Sequence, residues 1–595
     1  MPDFDAPYCL IHADGITRYA AGELRRHTLL SEIPRRTGNP TISMVPYSQL
    51  RERGFDVHDG GEPILTLLAS EWREIGLSDI PESADFRLDG EVRFDVSDEQ
   101  YAQWVRQIVS DEICQGEGSN FLPSRKARVR IEGFGTAAAN AIFTRLARSE
   151  LGAYMTFCFY DGERFFIGSS PERHITIRGG EVTMNPICGT LPKRALTKRA
   201  DLIEFLSDPK EINELFQVVD EELKMMSRIC AEGGTIHGPY LKEMWTLIHT
   251  EYQLVGQTTM DVLDAFRDSM FAATMIGSPL QNAARIIHRY ESDSRRYYSS
   301  ALVLLDVDEA GEEYLDSAIT IRTMEVDLAG NGVIQSGASI VRDSDPEKEC
   351  AEVRAKAEGL LRAIGGRPAT EPVLPDYADQ LVRDVLMSRN KYLSRFWTQP
   401  QVRPAGKSEF DGVSITVVDN EDEFTYMLRH VLEHLGVEAQ VRSYADPALD
   451  LTATDLVLIG PGPGNPTNLA DPKMARVHGI VADLLRRQAK FLAVCLGHQI
   501  LCQQLGLPII AIDPPLQGVQ QSIDLFGRAE PVGFYNTFFA TAADVPAGVE
   551  LATAPGGRVM ATRSGHFCSF QFHVESVLTT NCVAVLKEAL SYLLR

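Results

Sequence analysis

The chain has 595 residues, of which 44% are hydrophobic and 24% are charged. At one domain per roughly 150 residues, this length allows roughly three to four folded units. The formal net charge of −24 disfavours binding to nucleic acid and to anionic membrane surfaces. It does not exclude a small anionic substrate, because arginine side chains and helix N-termini act at short range.

The cysteines and the apolar runs together indicate a cytoplasmic protein. Ten cysteines are scattered without regular spacing, which favours reduced thiols over a disulfide framework or a zinc site. No apolar run approaches the roughly 20 residues of a membrane span, and the acidic start of the chain is unlike a signal peptide. We therefore expect no membrane association.

The amino-terminal part mixes strand-like runs with long amphipathic helices. Strands are predicted over residues 154–159, 164–167, 301–305 and 318–323. The runs do not follow a strict βαβ order, which is typical of an α+β domain. We expect this domain to occupy residues 1–365.

Two predicted helices each carry a pair of glutamates three residues apart. Residues 210–230 place Glu211 and Glu214 beside an apolar face. The helix that begins at Pro346 carries Glu349 and Glu352 with the same spacing. Such carboxylates are suited to a hard cation such as Mg²⁺, and the alternative is a solvated acidic face.

Glycines and prolines after residue 364 interrupt the second of these helices and indicate a domain boundary. Residues 366–409 are predicted to form a linker that carries a helix within residues 376–398. A second break over residues 400–406 precedes the carboxyl-terminal domain, which we place at residues 410–595.

The carboxyl-terminal domain alternates predicted strands and helices from residue 414 to residue 504. This alternation predicts an open, largely parallel α/β sheet of the flavodoxin-like type. Ligands of such sheets bind beyond the carboxyl ends of the strands.

Cys495 stands where an apolar strand, residues 491–494, breaks and a helix begins, which is typical of a turn that exposes a nucleophile. His573 is a candidate base, and Glu575 could hold the imidazole in one tautomer. The alternative is a buried structural thiol. The order Cys, then His-x-Glu, with the loop at residues 460–466 upstream, resembles class I glutamine amidotransferases.

That resemblance implies hydrolysis of the glutamine side chain and release of ammonia to a second site. The backbone N–H groups of Gly462 and Leu496 are expected to stabilise the oxyanion. This chain departs from the family at Ala493, usually glycine, and at Val574, generally proline. The residues expected to hold glutamine are Gly462, Gly464, Gln499, Thr537 and Phe538.

Residues 134–363 resemble chorismate-utilising enzymes of the anthranilate synthase type, through the strings at residues 184–190, 321–322 and 336–339. The resemblance implies Mg²⁺ bound by Glu211, Glu214, Glu349 and Glu352. It implies substrate contacts from Gly189, Thr190, Tyr298, Arg322, Gly337, Ala338 and Ser339. The expected catalytic groups are His249, Thr274 and Glu211, although the acid that protonates the leaving hydroxyl is open between Glu211 and another member of the glutamate cluster.

The order of the two modules, synthase first, resembles fused PhzE-type synthases of phenazine pathways. Leu280, Ser339 and Asn536 differ from the lysine, glycine and histidine usual in anthranilate synthases. The resemblance implies conversion of chorismate and L-glutamine to 2-amino-2-deoxyisochorismate (ADIC) and glutamate by a homodimer. The nearest alternative is a fused anthranilate synthase, which also eliminates pyruvate. An isochorismate synthase and a silent scaffold are further alternatives.

Overall fold

The structure is a computed structural model, and it describes residues 2–83, 85–149, 152–244, 247–366, 379–403, 406–542 and 545–595. The predicted domain boundary lies partly outside the described residues, because these end at residue 366 and resume at residue 379. Over the residues described, no helix combines the length and apolar character needed to cross a bilayer.

The amino-terminal part is built on antiparallel strands. Paired strands follow one another in the order β8, β20, β19, β10, β9, β1, β2, β4, β3, β17, β18, β11, β12, β15, and every pairing is antiparallel. In chain order the strands are β1 (Tyr8–Ala13), β2 (Ile16–His27), β3 (Thr41–Val45), β4 (Ile64–Ile75), β5 (Arg87–Leu88), β6 (Arg93–Phe94), β7 (Asn120–Phe121), β8 (Ser124–Glu132), β9 (Met155–Tyr160), β10 (Arg164–Ser170), β11 (Arg173–Arg178), β12 (Glu181–Met184), β13 (Ile187–Pro192), β14 (Gly234–Glu243), β15 (Leu247–Gln257), β16 (Gly277–Ser278), β17 (Ala301–Val307), β18 (Glu313–Ile319), β19 (Thr323–Asp327), β20 (Asn331–Gly337) and β21 (Ile340–Val341).

Helices cover this strand system. Ala138 and Ile142 of the second helix share a buried cluster with Leu360 of the eighth. The fourth helix buries an apolar face as its 3.6-residue periodicity predicts, with Asp208 capping its first turn. The helices are α1 (Asp98–Gln107), α2 (Thr136–Ser149), α3 (Arg199–Ser207), α4 (Pro209–Ile229), α5 (Val262–Asp268), α6 (Ala273–Ile276), α7 (Leu280–Tyr290) and α8 (Pro346–Gly365).

The mixed α+β content confirms the predicted fold class, and one predicted strand is wrong. The run at residues 318–323 is divided, because β18 ends at Ile319 and β19 begins at Thr323. Arg322 between them has a φ of 49°, a conformation that an extended strand cannot accommodate. The apolar and β-branched residues around the break concealed it from sequence.

The carboxyl-terminal domain confirms the predicted open α/β sheet. Its strands lie in the order β23, β22, β24, β25, β30, β29, β28, and all pairs from β23 to β30 are parallel. Strands β26 and β27 form a separate antiparallel hairpin. The elements are α9 (Gln380–Met387), β22 (Ser414–Asp419), α10 (Phe424–His434), β23 (Glu438–Ser443), β24 (Leu456–Ile459), α11 (Pro472–Arg487), β25 (Phe491–Val494), α12 (Leu496–Gln504), β26 (Ile509–Leu525), β27 (Arg528–Ala540), β28 (Glu550–Ala554), β29 (Arg558–Arg563), β30 (Phe567–Phe570) and α13 (Cys582–Leu594).

Residues 379–403, the described part of the segment between the two domains, are packed rather than free. The guanidinium of Arg389 is buried and donates to the carbonyl oxygen of Leu206 at 2.8 Å. Trp397 is fully buried, and its indole N–H donates to the carbonyl oxygen of Glu575 at 2.8 Å. The connecting segment therefore contacts both domains and holds them against each other.

Candidate active site

Cys495 lies at the carboxyl edge of the parallel sheet, on a sharp turn between β25 and α12. Its backbone has φ 52° and ψ −105°, and its N–H donates to the carbonyl oxygen of Phe570 at 2.8 Å. A Cβ atom at Gly497 would lie 2.6 Å from the carbonyl oxygen of Ile459, so the turn requires glycine there. The strained turn directs the thiol out of the sheet, as the sequence predicts.

His573 and Glu575 form the pair that the sequence predicts, although they lie in a turn after β30 rather than along one strand. Nδ1 of His573 is 2.8 Å from Oε1 of Glu575, and both side chains are buried. Burial lowers the pKa of His573, but interactions with the neighbouring Cys495 and Glu575 side chains outweigh it and hold this pKa well above its usual value. The pair is therefore suited to stabilise an imidazolium beside a thiolate.

The Cys495 thiol donates to the carbonyl oxygen of Tyr535 at a sulfur–oxygen distance of 3.6 Å. Nε2 of His573 is buried and has no hydrogen-bond partner among the described residues. A rotation of the Cys495 thiol from Tyr535 toward Nε2 of His573 would bring the acid and the base together. Hydrogen bonds between catalytic groups are often longer when no substrate is bound.

A cavity with about 500 Å³ of empty volume opens beside the thiol. A Cβ atom at Gly462 would lie 2.3 Å from the carbonyl oxygen of Asn420, so this wall also requires glycine. Gln499 donates its amide N–H to the carbonyl oxygen of Phe538 at 2.8 Å. Leu496 is buried in the first turn of α12. The predicted residues that line the cavity are Gly462, Gly464, Cys495, Gln499, Thr537, Phe538 and His573.

The opposite wall of this cavity comes from the amino-terminal domain. The hydroxyl of Thr537 donates to the carbonyl oxygen of Ile113 at 3.0 Å, which anchors the two walls to each other. This contribution could not be predicted from sequence, since short glycine- and serine-containing segments carry no recognisable motif. The additional lining residues include Gly116, Gly118, Ser119, Glu221, Lys224 and Ser278.

A second group of predicted residues meets where β13 pairs with β15. The ring Nδ1–H of His249 donates to the carbonyl oxygen of Gly189 at 2.8 Å, and Thr190 Oγ1 lies 3.3 Å from the same nitrogen. Burial lowers the pKa of His249 to about 4, so the ring is neutral at pH 7. A Cβ atom at Gly189 would lie 3.0 Å from Oε2 of Glu211, which places this glutamate against the same loop.

Glu172 is a buried acid at this site that sequence analysis missed. The hydroxyl of Thr274 donates to Oε1 of Glu172 at 3.0 Å. Burial raises the pKa of Glu172 to about 7, although the charges of Lys242 and Arg322 act in the opposite direction. The available signal was an acid that follows Pro171 in the short break between β10 and β11.

Positive charge gathers around Glu172 and His249. Arg322 stands on the turn between β18 and β19, and its charge lowers the pKa of both groups. Lys356 acts in the same way, and its amine donates to the carbonyl oxygen of Gly337 at 2.8 Å. A site with these cations is suited to a dicarboxylate.

The loop after β20 brings the remaining predicted contacts to this pocket. Tyr298 is buried and hydrogen-bonds the backbone of Gly337. The backbone N–H of Ala338 donates to the hydroxyl of Tyr101 at 3.1 Å. Ser339 Oγ accepts a hydrogen bond from the Asn120 side chain at 3.3 Å. Neighbouring residues therefore hold the loop in one conformation.

The four predicted metal ligands form two pairs on two helices. Glu214 on α4 pairs with Lys210 at 3.3 Å, and Glu352 on α8 pairs with Lys356 at 2.9 Å. Across the described ranges, no group of three or more His, Cys, Asp or Glu side chains is placed to hold a metal ion. Oε2 of Glu211 is buried and has no hydrogen-bond partner within the same ranges, so it remains available to a cation.

Known proteins match both parts of the chain. Residues 15–362 match the family described as chorismate binding enzyme, and residues 416–591 match glutamine amidotransferase class-I. The chain therefore belongs to the chorismate binding enzyme family and carries a class-I glutamine amidotransferase domain. These domains are enzymatic, and the chain is an enzyme of this family.

The chain is similar to two curated proteins over almost its whole length. "Anthranilate synthase, phenazine specific" from Pseudomonas fluorescens is 41% identical, and the alignment covers 99% of this chain and 95% of the relative. The protein of the same name from Pseudomonas chlororaphis has the same identity and coverage. The menaquinone-specific isochorismate synthase of Escherichia coli shares the fold, with 18% identity and a TM-score of 0.50 over 61% of this chain and 91% of that one.

Proposed function

We propose that the chain converts chorismate and L-glutamine to ADIC and glutamate. The observation that carries the proposal is the 41% identity, over 99% of the chain, to proteins named as phenazine-specific anthranilate synthases. A conventional anthranilate synthase would also eliminate pyruvate from the aminated intermediate. Leu280, Ser339 and Asn536 support the ADIC product, because they depart from the residues usual in anthranilate synthases.

The glutaminase half-reaction uses Cys495, His573 and Glu575. His573 Nε2 takes the thiol proton, the thiolate attacks the side-chain carbonyl of glutamine, and the proton returns to the departing ammonia. Water then hydrolyses the thioester to glutamate. Backbone N–H groups of Gly462 and Leu496 are assigned to the oxyanion, and the cavity beside Cys495 holds the substrate.

Ammonia passes from this cavity to the synthase pocket within the protein. Ser278 and Glu221 line the glutaminase cavity. Thr274, four residues before Ser278, donates to Glu172 in the synthase pocket. One short segment of chain therefore borders both sites, which supports a direct route that keeps ammonia unprotonated and away from bulk water.

In the synthase pocket the ammonia nitrogen bonds to C2 of chorismate as the C4 hydroxyl leaves. The hydroxyl departs as water, so the reaction needs one proton at the leaving oxygen. Glu172 is suited to supply it, because burial raises its pKa to about 7 and a large fraction is protonated near neutral pH. This assignment replaces Glu211 and the other acids of the glutamate cluster, between which the donor was open from sequence.

The other pocket residues position the substrate. Arg322, Lys242 and Lys356 are assigned to the two carboxylates of chorismate. Neutral His249 acts as a hydrogen-bonding group, because a ring with a pKa of about 4 has no proton to give as an acid at pH 7. Loop residues contribute the remaining contacts, namely Gly189, Thr190, Tyr298, Gly337, Ala338 and Ser339.

Mg²⁺ is the proposed cofactor, with Glu211, Glu214, Glu349 and Glu352 as its ligands. The buried, unpartnered Oε2 of Glu211 fits a cation, and burial together with the Glu214 charge raises the pKa of Glu211. Burial also raises the pKa of Glu349. Each of the two helices therefore carries a carboxylate whose negative charge is not fully balanced by neighbouring groups. The bound ion would neutralise the ring carboxylate of chorismate.

We assign residues 1–365 to the synthase domain, 366–409 to the connecting segment and 410–595 to the glutaminase domain. We also propose a cytoplasmic homodimer that acts on small molecules, without nucleic-acid or membrane partners. Within one chain, the glutaminase domain packs against the synthase domain.

Mass spectrometry of the protein incubated with chorismate, glutamine and Mg²⁺ tests the product, with a coupled assay for pyruvate in the same tube. An aminated product that retains its enolpyruvyl group, without pyruvate, is expected. Anthranilate with an equal amount of pyruvate would identify an anthranilate synthase. Absence of any aminated product would overturn both assignments.

A further inference from the structure

Helix α4 of the synthase domain reaches both active sites. Its first turns carry Glu211 and Glu214, which face the proposed magnesium site. Asp220, six residues beyond Glu214, lies at the glutaminase domain and is fully buried. At a rise of about 1.5 Å per residue, the two ends of this stretch lie about 9 Å apart along the helix axis.

Among the described residues, three hydrogen-bond donors contact Asp220, and all three belong to the glutaminase domain. The Tyr535 hydroxyl donates to Oδ2 at 2.7 Å, and the Ser576 hydroxyl donates to the same oxygen at 2.5 Å. The backbone N–H of Val577 donates to Oδ1 at 2.9 Å. A buried carboxylate with three donors is a strong and geometrically specific anchor.

The three donors surround the glutaminase catalytic group. Ser576 and Val577 directly follow Glu575 in the chain. Tyr535 accepts the Cys495 thiol hydrogen bond at its carbonyl oxygen, and its ring lies 5.4 Å from that of His573 between centroids. The anchored residues therefore adjoin all three members of the group.

We propose that Asp220, a synthase residue, is a positioning residue of the glutaminase site, acting on Glu575 and His573 through Ser576 and on Cys495 through Tyr535. This inference rests on the proposed glutaminase function of Cys495. The glutaminase would then have its productive geometry only when the synthase helix is seated against it. Ammonia is consequently released where the synthase is in place to use it.

A role restricted to holding the domains together is the competing explanation, and the interface offers a control for it. Arg429 of α10 donates to the carbonyl oxygen of Ser227 on the same helix α4 at 3.0 Å. Ser227 lies seven residues, about two turns, beyond Asp220. The substitution Arg429→Ala removes a contact between the same two domains without touching the catalytic group.

The test compares Asp220→Asn with Arg429→Ala in the full-length protein. We expect Asp220→Asn to lower kcat for glutamine hydrolysis on the order of 100-fold, the cost of a misplacement of about 1 Å. The KM for glutamine should change little, ammonium-supported synthesis should remain, and alkylation of Cys495 by iodoacetamide should slow. Arg429→Ala should leave all four quantities close to those of the unmodified protein.

Two further variants keep the proposal open to refutation if Asp220→Asn does not fold. Tyr535→Phe and Ser576→Ala each remove one donor and should lower glutaminase kcat in the same direction. Unchanged kcat in these variants, or equal losses of glutamine- and ammonium-supported activity in Asp220→Asn, would overturn the proposal. Retained glutamine-supported activity in Cys495→Ser would instead overturn the glutaminase assignment itself.

Discussion

The backbone N–H of Gly464 in the glutaminase domain donates to the carbonyl oxygen of Gly116 in the synthase domain at 2.8 Å. Both glycines have positive φ, 112° and 81°, and both line the cavity beside Cys495. A Cβ atom at Gly116 would lie 2.8 Å from the Phe538 ring. Two backbones thus meet at close range, and the glutamine cavity belongs to both domains.

Cys495→Ser should abolish glutamine-supported synthesis, because a serine hydroxyl beside this histidine is a far weaker nucleophile than the thiolate. Synthesis from a high concentration of ammonium should persist. The measurement is product formation with each nitrogen source. Cys502→Ser is a matched control, since this buried thiol lies on α12 away from the cavity lining. Loss of both activities in Cys495→Ser would mean that the thiol is structural.

Glu172→Gln should reduce ammonium-supported synthesis by about 10²- to 10⁴-fold, the usual contribution of a general acid. In the unmodified protein, kcat/KM for chorismate should be constant at low pH. It should fall as pH rises through about 7, because the required protonated form is lost above the pKa of Glu172. The measurement is a pH profile at constant free ammonia and with chorismate varied.

Thr274→Val provides the partner experiment for this profile. The hydroxyl of Thr274 donates to Glu172 and lowers its pKa, so its removal should move the descending limb to higher pH. If the descending limb of the kcat/KM profile does not move in Thr274→Val, or is still present in Glu172→Gln, the pH dependence belongs to a group other than Glu172.

Glu214→Gln should raise the Mg²⁺ concentration needed for half-maximal synthesis, with little effect on thermal unfolding in the absence of metal. Glutamine hydrolysis provides an independent check that the protein is folded. Glu347→Gln on α8 is the matched control, because its side chain is 74% exposed and pairs with Arg106. An unchanged magnesium titration in Glu214→Gln would remove this residue from the metal site.

Glu222→Leu should uncouple the two half-reactions. Oε2 of Glu222 is buried without a hydrogen-bond partner in the part of the chain that the structure describes, and burial and Glu172 raise its pKa well above the usual range. This leaves an unpartnered acceptor oxygen of Glu222 near Glu172, on the helix that also supplies Glu221 to the glutaminase cavity, and we therefore place Glu222 on the proposed ammonia route. Removing this acceptor from the proposed ammonia route should raise the ratio of glutamate to aminated product above one.

Ammonium-supported synthesis should be unaffected in Glu222→Leu, and the melting temperature should not fall, because the change removes an unpartnered buried acid. Glu222→Gln keeps an acceptor oxygen and should retain coupling. A ratio of one in Glu222→Leu would exclude this residue from the route.

The sequence alone determined the features that depend on neighbours along the chain. The turn at Cys495 follows from an apolar strand that ends at Val494 and a helix that begins at Leu496, and the structure confirms those elements. The start of α8 was equally predictable from sequence, because Asp345 caps a helix whose first residue is a proline. The parallel sheet followed from the alternation of strand and helix patterns.

Only the tertiary structure decided how distant segments combine. Asp220 and Ser576 are 356 residues apart in sequence, and α4 reads simply as an amphipathic helix. The raised pKa of Glu172 arises from burial in the folded protein, which the residues next to it in the chain do not reveal. Periodicity and motif spacing report which face of an element is buried, whereas the packing of whole domains determines what that face meets.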